Sequence, residues 1–260
     1  MPSIALTIAG SDPSGGAGLQ ADLKTFHQHG VYGMAVVSLL TVQSTRGVTR
    51  VEPLAPDLLA QQLDHLLDDL TPGAAKTGAL GNAALVEVVA SRAKAFPFPL
   101  VVDPVMISKH GHPLLDADAV EALRAALLPR TFLLTPNTHE AAALTGRPVE
   151  TLAQARDAAR ALAQLGPRHV LVKGGHLEGA ATDVLLSEGV LHELHAERVE
   201  TTHTHGTGCT LSAAITARLS QGRSLLEAVS GAKRWLTRAI STAPGIGSGV
   251  GPLNHFAPLD

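Results

Sequence analysis

Short apolar runs alternate with amphipathic stretches along almost the whole chain. Apolar runs at 4–9, 34–42, 74–76, 100–102, 132–134, 169–172 and 182–186 predict strands. Several are continuous rather than alternating, as in strands buried on both faces. The stretches between them, 17–29, 56–70, 82–94, 116–127, 137–145, 152–165, 207–221 and 225–242, carry apolar residues at helical spacing. This order predicts an α/β fold, a mostly parallel central sheet with helices on both faces. No internal repeat of fixed period interrupts it. Ligands of such sheets bind beyond the carboxyl ends of the strands, and most of the polar clusters described below fall at those ends.

Composition narrows the class. Hydrophobic residues make up 45% of the 260, ample for a substantial core. No linker, low-complexity run or block of like charge divides the chain, so a single domain over 1–260 is expected. The formal net charge is -3 without an evident basic face, which argues against nucleic acid as a partner. No apolar run is long enough to span a bilayer, and the first ten residues lack the basic region and cleavage site of a signal peptide. The lone cysteine, Cys209, excludes an internal disulfide. A cytoplasmic protein is expected.

The stretch from Thr202 to Thr210 is the most informative. Gly206, Thr207, Gly208 and Cys209 stand immediately before an apolar helical pattern. A helix start presents unsatisfied N–H groups and partial positive charge, which suits a phosphate or oxyanion. Glycines allow close approach of a ligand, and the same field should favour the Cys209 thiolate. An anion cradle with a base inside it points to group transfer.

Other clusters leave alternatives open. The first strand runs into Gly10-Ser11-Asp12-Pro13-Ser14-Gly15-Gly16-Ala17-Gly18. This stretch lacks the dinucleotide fingerprint, and a Gly-Lys-Ser/Thr phosphate loop is missing from the chain. A tight Asp-Pro turn explains it as well as a ligand wall does. Asp22 flanks the apolar stripe of the following helix and needs a partner there. It is either a rim charge held by a lysine or an acceptor for a ligand's amine or ring nitrogen. Asp103, at the end of a buried run, is an Asp-Pro turn or a carboxylate that helps to hold Mg²⁺. Asn137 and Glu140 have the spacing of a capping box, to which a Mg²⁺ or phosphate-water role would be additional. Lys173, beside two glycines, is either an exposed turn lysine or a group that reaches nucleotide phosphates. The pairs His203/His205 and His110/His112 have no third ligand at metal-like spacing, so structural zinc is not expected. The histidines are expected mostly on the surface or in loops.

Taken together, these motifs resemble the bifunctional hydroxymethylpyrimidine and phosphomethylpyrimidine kinases of thiamine biosynthesis, within the ribokinase-like superfamily. The resemblance covers about 3–256. It rests on 6–18 with Gln20-Ala21-Asp22-Leu23-Lys24-Thr25, on Gln43-Ser44-Thr45-Arg46-Gly47-Val48 and Asp103-Pro104-Val105-Met106, and on Thr135-Pro136-Asn137. Lys173-Gly174-Gly175-His176, His205-Gly206-Thr207-Gly208-Cys209-Thr210 and the ending Gly251-Pro252-Leu253-Asn254-His255-Phe256 complete it. It implies a three-layer α/β/α fold, a homodimer, and transfer from ATP with Mg²⁺ to 4-amino-5-hydroxymethyl-2-methylpyrimidine, then to its monophosphate. It also implies that the pyrimidine lies among Gly10, Asp22, Gln43 and Val105, with Asp22 receiving the ring amine. The 206–209 segment would form the anion hole, with Cys209 as base for the first transfer. Lys173, Asn137, Glu140 and Thr207 would meet the nucleotide, and Asp103 and Glu140 would serve the metal.

Three positions depart from relatives in ways that matter. Many sugar kinases of the superfamily have aspartate where Cys209 stands, which favours the pyrimidine reading. Ala79 replaces a frequent methionine against the substrate, and Lys109-His110-Gly111-His112 replaces a Lys-Ser-Gly pattern. The alternatives are a pyridoxal kinase-like activity and a pyrimidine sensor that consumes no ATP. A nicotinamide oxidoreductase fits poorly without its fingerprint.

Overall fold

A computed structural model describes residues 2–108, 111–175 and 177–259. A nine-stranded sheet in the order β3-β2-β1-β4-β5-β6-β7-β8-β9 forms the middle layer. The strands are β1 (Ile4–Ser11), β2 (Tyr32–Ser44), β3 (Gly47–Pro53), β4 (Ala74–Thr77), β5 (Leu100–Val102), β6 (Leu133–Leu134), β7 (His169–Val172), β8 (Asp183–Ser187) and β9 (Val190–Leu194). Strands β2, β1, β4, β5, β6 and β7 run parallel, while β3, β8 and β9 join as antiparallel edges.

Alternation along the strands sorts side chains into the two outer layers. Leu6, Ile8, Ala75, Leu100, Val102, Leu134 and Val170 face one apolar core. It is closed by α2 (Pro56–Asp69), α3 (Ala83–Ala93), α4 (Ala117–Ala122), α5 (Thr138–Thr145) and α6 (Leu152–Ala163). Ala74, Val101, Leu133, Leu171 and Leu185 face the other side, under α7 (Thr207–Ser220) and α8 (Leu225–Ser241). On that side Ala5 meets Phe26 of α1 (Gly18–Gln28) and Ala213 and Ala217 of α7. The result is the expected three-layer α/β/α arrangement.

The differences from expectation lie at the edges. β3 and β9 are extra strands, each with mostly exposed or half-exposed residues and little apolar signal. β8 turns into β9 through Glu188 and Gly189, both at positive φ (48° and 77°), as a tight two-residue hairpin requires. The helix expected over 116–127 stops at Ala122 and continues as a π turn over Leu123–Leu127.

Neighbouring strands β1 and β4 are the switch point, where successive connections leave in opposite directions. The carboxyl ends of β1, β4, β5, β6 and β7 deliver Gly10–Ser11, Thr77, Asp103, Thr135 and Lys173 to one rim of the sheet.

Candidate active site

Helix α7 begins at the rim with Gly206 as N-cap, at φ 78° and ψ 10°. This left-handed conformation favours glycine, and a Cβ there would run into the Gly16 carbonyl. The start of α7 is thereby pressed against the loop after β1. Gly18, at φ 55°, is crowded in turn against the Gly10 carbonyl. At Gly208, a Cβ would stand 3.2 Å from Lys173 Nζ and 3.6 Å from Asp103 Oδ2. The first turn of α7 therefore lies open beside an ionic cluster.

In that cluster Lys173 Nζ donates to Asp103 Oδ1 at 2.8 Å and lies 3.8 Å from Glu140 Oε2. Burial works against the Lys173 charge, but Asp103 and Glu140 outweigh it and hold the ammonium above its ordinary pKa. Burial, followed by the neighbouring Asp103, pushes the Glu140 carboxyl up to about 7, against the pull of Lys173. Glu140 and Asn137 also form the expected capping box of α5: Asn137 N–H donates to Glu140 Oε2 at 2.7 Å, and Glu140 N–H to Asn137 Oδ1 at 2.9 Å.

A second group ties loops together. Asp12 Oδ2 meets His205 Nε2 at 2.8 Å and accepts from Ala17 N–H at 2.8 Å, while Oδ1 accepts from Ser14 N–H at 2.8 Å. Burial opposes the Asp12 charge, but the bonds from His205 and Ser14 hold its pKa below the usual carboxylate range. The Gln43 amide lies 3.3 Å from the same His205 nitrogen. His205 N–H donates to Gly251 O at 3.0 Å, so the chain's ending also braces the start of α7.

These groups line one cavity of about 760 Å³. Gly10, Gln43, Ala79, Val105, Asp103, Asn137, Glu140, Lys173 and the whole of Gly206–Cys209 border it, so one cavity brings these sequence-predicted residues together. Asp22 does not. Its carboxylate is fully buried behind the wall, where Lys76 Nζ donates to both oxygens at 2.8 Å and Thr7 Oγ1 donates to Oδ2 at 2.6 Å. Asp22 thus stands behind the cavity wall, apart from the other expected pyrimidine contacts. Burial alone would discharge both partners, but Asp22, with Cys209 and Asp103 beyond it, keeps the Lys76 pKa above its ordinary value.

The Cys209 thiol also differs from expectation. Burial pushes its pKa up to about 11, and Asp22 and Asp103 add to the rise. The Lys76 charge and the Gly18 N–H at the sulfur oppose that rise without reversing it. The helix start does not yield a standing thiolate, because desolvation of the anion outweighs it.

The histidines are less peripheral than their loop positions suggested, since His29, His169, His205 and His255 are all buried. His112 is half-exposed, with Nδ1 2.8 Å from Pro113 O. Lys109, His110 and His176 fall outside the described residues. No helix among the described residues is long and apolar enough to cross a membrane.

The sequence profile described as Phosphomethylpyrimidine kinase matches residues 12–254. A hydroxymethylpyrimidine/phosphomethylpyrimidine kinase from Synechococcus elongatus is 47% identical over 98% of this chain and 98% of its own. The chain belongs to the phosphomethylpyrimidine kinase family. Two solved structures share its fold. A phosphomethylpyrimidine kinase from Clostridium difficile superposes with a TM-score of 0.82 at 40% identity, over 92% of this chain and 99% of that one. An ADP complex of Bacillus subtilis pyridoxal kinase superposes at 0.91 with 36% identity, over 99% and 98%.

A phosphomethylpyrimidine kinase must hold an acceptor and a donor together, and the cavity has two ends. One is mixed in polarity and bounded by Gly10, Gln43, Ala79 and Val105. The other extends past Lys173 to Glu197, Lys233 and Ile240. Three contacts missed in the sequence stiffen that second end. Asp183 accepts from Gly174 N–H at 2.8 Å and from Lys233 Nζ at 2.7 Å, and Arg198 Nη1 donates to Gly175 O at 2.8 Å. The open turn of α7 lies between the two ends.

Proposed function

We propose that this chain, as one unit over 1–260, transfers phosphoryl groups from ATP to 4-amino-5-hydroxymethyl-2-methylpyrimidine and then to the resulting monophosphate, in thiamine diphosphate synthesis. The observation that carries this reading is the open first turn of α7, flanked by Lys173 on one side and the recess of Gly10, Gln43, Ala79 and Val105 on the other. The family membership supports both transfers.

Phosphoryl transfer asks mainly for positioning and charge neutralisation. The backbone N–H groups of Gly206–Cys209 hold the moving phosphoryl oxygens, and Lys173 meets the nucleotide phosphates together with Thr207 and the Asn137 end of α5. The ring occupies the recess of Gly10, Gln43, Ala79 and Val105. With Asp22 sealed away, Gln43 is the polar side chain there that answers the ring's nitrogens. In the first transfer the substrate oxygen bonds to phosphorus, the bond from phosphorus to the leaving ADP oxygen breaks, and the alcohol proton passes to Cys209 as thiolate. That thiolate has already lost its proton to water. In the second transfer the acceptor is an anionic phosphate and needs little proton removal.

The donor set at the rim suits magnesium, a hard ion that binds one or two carboxylates and keeps other positions for phosphates and water. Asp103 and Glu140 are two carboxylates answered by one lysine. Among the described residues no three His, Cys, Asp or Glu side chains gather as a cage, so Asp103 and Glu140 would hold the ion jointly with the nucleotide. When bound, it would neutralise phosphate charge.

A cytoplasmic place follows from the need for ATP. A homodimer is part of the same reading; β2, on the hairpin side of the sheet, leaves Tyr32, Leu40 and Val42 exposed, and sedimentation velocity tests it. The second reading, pyridoxal phosphorylation, is favoured by the likeness to the B. subtilis pyridoxal kinase. Purified protein with Mg-ATP and the pyrimidine alcohol, followed by mass spectrometry, should yield mono- and then diphosphate. Turnover of pyridoxal but not of the pyrimidine would instead establish the second reading, and no product from either alcohol would overturn both.

A further inference from the structure

Of Gly10, Gln43, Ala79 and Val105, which bound the acceptor recess, only Gln43 carries polar side-chain atoms. Its amide has two possible orientations, and the neighbouring groups decide between them. The nitrogen is placed 3.3 Å from His205 Nε2 and the oxygen 3.2 Å from Thr41 Oγ1. Neither neighbour suits that orientation. Asp12 takes the N–H groups of Ser14 and Ala17 and the Ser14 hydroxyl, so it stands as a carboxylate that only accepts. His205 Nε2, 2.8 Å from Asp12 Oδ2, must therefore carry the ring proton and donate it. A ring nitrogen that donates cannot also accept from the Gln43 NH2 group. At the other end, Thr41 Oγ1 has a single proton. The Ser11 carbonyl, which can only accept, lies nearer to it, at 2.9 Å. Thr41 is left to offer Gln43 its lone pairs. Asp12 and His205 are both buried, so solvent does not compete for this arrangement.

We propose that Asp12 and His205 are positioning residues for the acceptor: they hold the Gln43 amide with its oxygen towards His205 and its NH2 towards Thr41, and so fix which way round the pyrimidine lies. The proposal rests on the kinase reading above. One edge of the pyrimidine offers a ring nitrogen as acceptor and the 4-amino group as donor, side by side. Against an amide these pair reciprocally, the ring nitrogen with the NH2 and the amine with the oxygen. The 4-amino group adjoins the carbon that bears the hydroxymethyl arm. An amide oxygen towards His205 therefore turns that arm towards His205, which directly precedes the Gly206–Cys209 turn. The reverse amide would bring the 2-methyl side of the ring there and leave the alcohol on the far side.

The amide orientation is read first, in isotope-labelled wild type without substrate. Nuclear Overhauser contacts should run from the Gln43 side-chain NH2 to the Thr41 methyl group; contacts to the His205 ring instead would overturn the proposal. Kinetics test the consequence. His205→Leu should lower first-transfer kcat/KM for the pyrimidine about tenfold, with KM for ATP within about twofold. His205→Gln keeps an N–H at that point and should stay within about threefold of wild type. In Gln43→Glu the two oxygens are alike, so no orientation remains to be set. Added to that variant, His205→Leu should cost less than about threefold. A tenfold loss that persists there, or an equal rise in KM for ATP, would make His205 a brace of α7 only and overturn the proposal. The Overhauser contacts need no turnover, so they decide the amide orientation even if the wild type phosphorylates nothing or the variants fail to fold.

Discussion

Two lysine–carboxylate groups on the α7 side of the sheet have the same short contact and opposite settings. Lys173 reaches Asp103 at 2.8 Å, with Glu140 as a second carboxylate, and opens on the cavity. Lys76 reaches Asp22 at 2.8 Å, with both side chains fully sealed. The first group carries more acid than base and has one face open, so a cation and phosphates can complete it. The second is balanced and closed, so no ligand can enter. An ion pair at the end of a parallel strand is therefore not by itself a binding site; what matters is which of its atoms remain unanswered and whether they face open space.

Several measurements can break or sharpen this contrast. The largest effect is expected at the open group. Lys173→Met should lower kcat about 10³-fold or more for both transfers, the scale of a cation that stabilises a moving phosphoryl group, with little change in Tm. At the closed group the effect should move to stability. Asp22→Asn strands a buried ammonium and should cost about 3–5 kcal/mol in chemical denaturation, while calorimetry shows pyrimidine affinity nearly unchanged. A large loss of pyrimidine affinity in a folded Asp22→Asn protein would return that carboxylate to the pocket.

Cys209→Ala lies between the two groups. It should slow the first transfer about 10²-fold, within the range for a general base, and the second by less than about threefold. In the wild type, because only the thiolate accepts the proton and its pKa stands at about 11, first-transfer kcat/KM should keep rising through pH 9 while the second stays flatter. A first-transfer profile that levels off near neutrality would remove Cys209 as the base.

The smallest effect concerns the tail. His255 Nε2 lies 3.2 Å from Thr210 Oγ1, and burial, with the Lys24 charge beyond it, lowers the ring's pKa to about 4. The folded protein therefore holds this ring neutral, whereas the unfolded chain protonates it near 6.5. The stabilisation is fully present above about pH 6.5 and is lost as pH falls towards 4, amounting to about 2 kcal/mol at most after allowance for partial exposure. His255→Gln should flatten that part of the Tm–pH curve.

Much of this was legible in the sequence. Continuous apolar runs marked the buried strands because both their faces are covered. β3 and β9 were missed because edge strands bury too little to impose a pattern. The Gly206–Cys209 turn was legible because glycines at a helix start have few other uses. Asp22 was visible as an anomaly on its helix stripe, but its partner lies 54 positions away and only the fold brings them together. The Asp12–His205 contact spans 193 positions, and an Asp-Pro turn was enough to explain Asp12 locally. The direction of the Cys209 shift was misread because a helix start is a local feature, whereas desolvation depends on everything packed around the sulfur. A lysine within the apolar run of β4 was the overlooked signal: it required a buried carboxylate somewhere in the chain.

The central claim is that the first turn of α7 grips the moving phosphoryl group between Lys173 and the acceptor alcohol. A crystal structure with a non-hydrolysable ATP analogue, magnesium and the pyrimidine alcohol tests it most directly. The account predicts the terminal phosphate within hydrogen-bonding distance of the Gly206–Cys209 amides, with the hydroxymethyl oxygen beside the Cys209 sulfur and the ring against Gln43. Phosphates lodged away from that turn, or a ring bound outside the Gly10–Val105 recess, would contradict it.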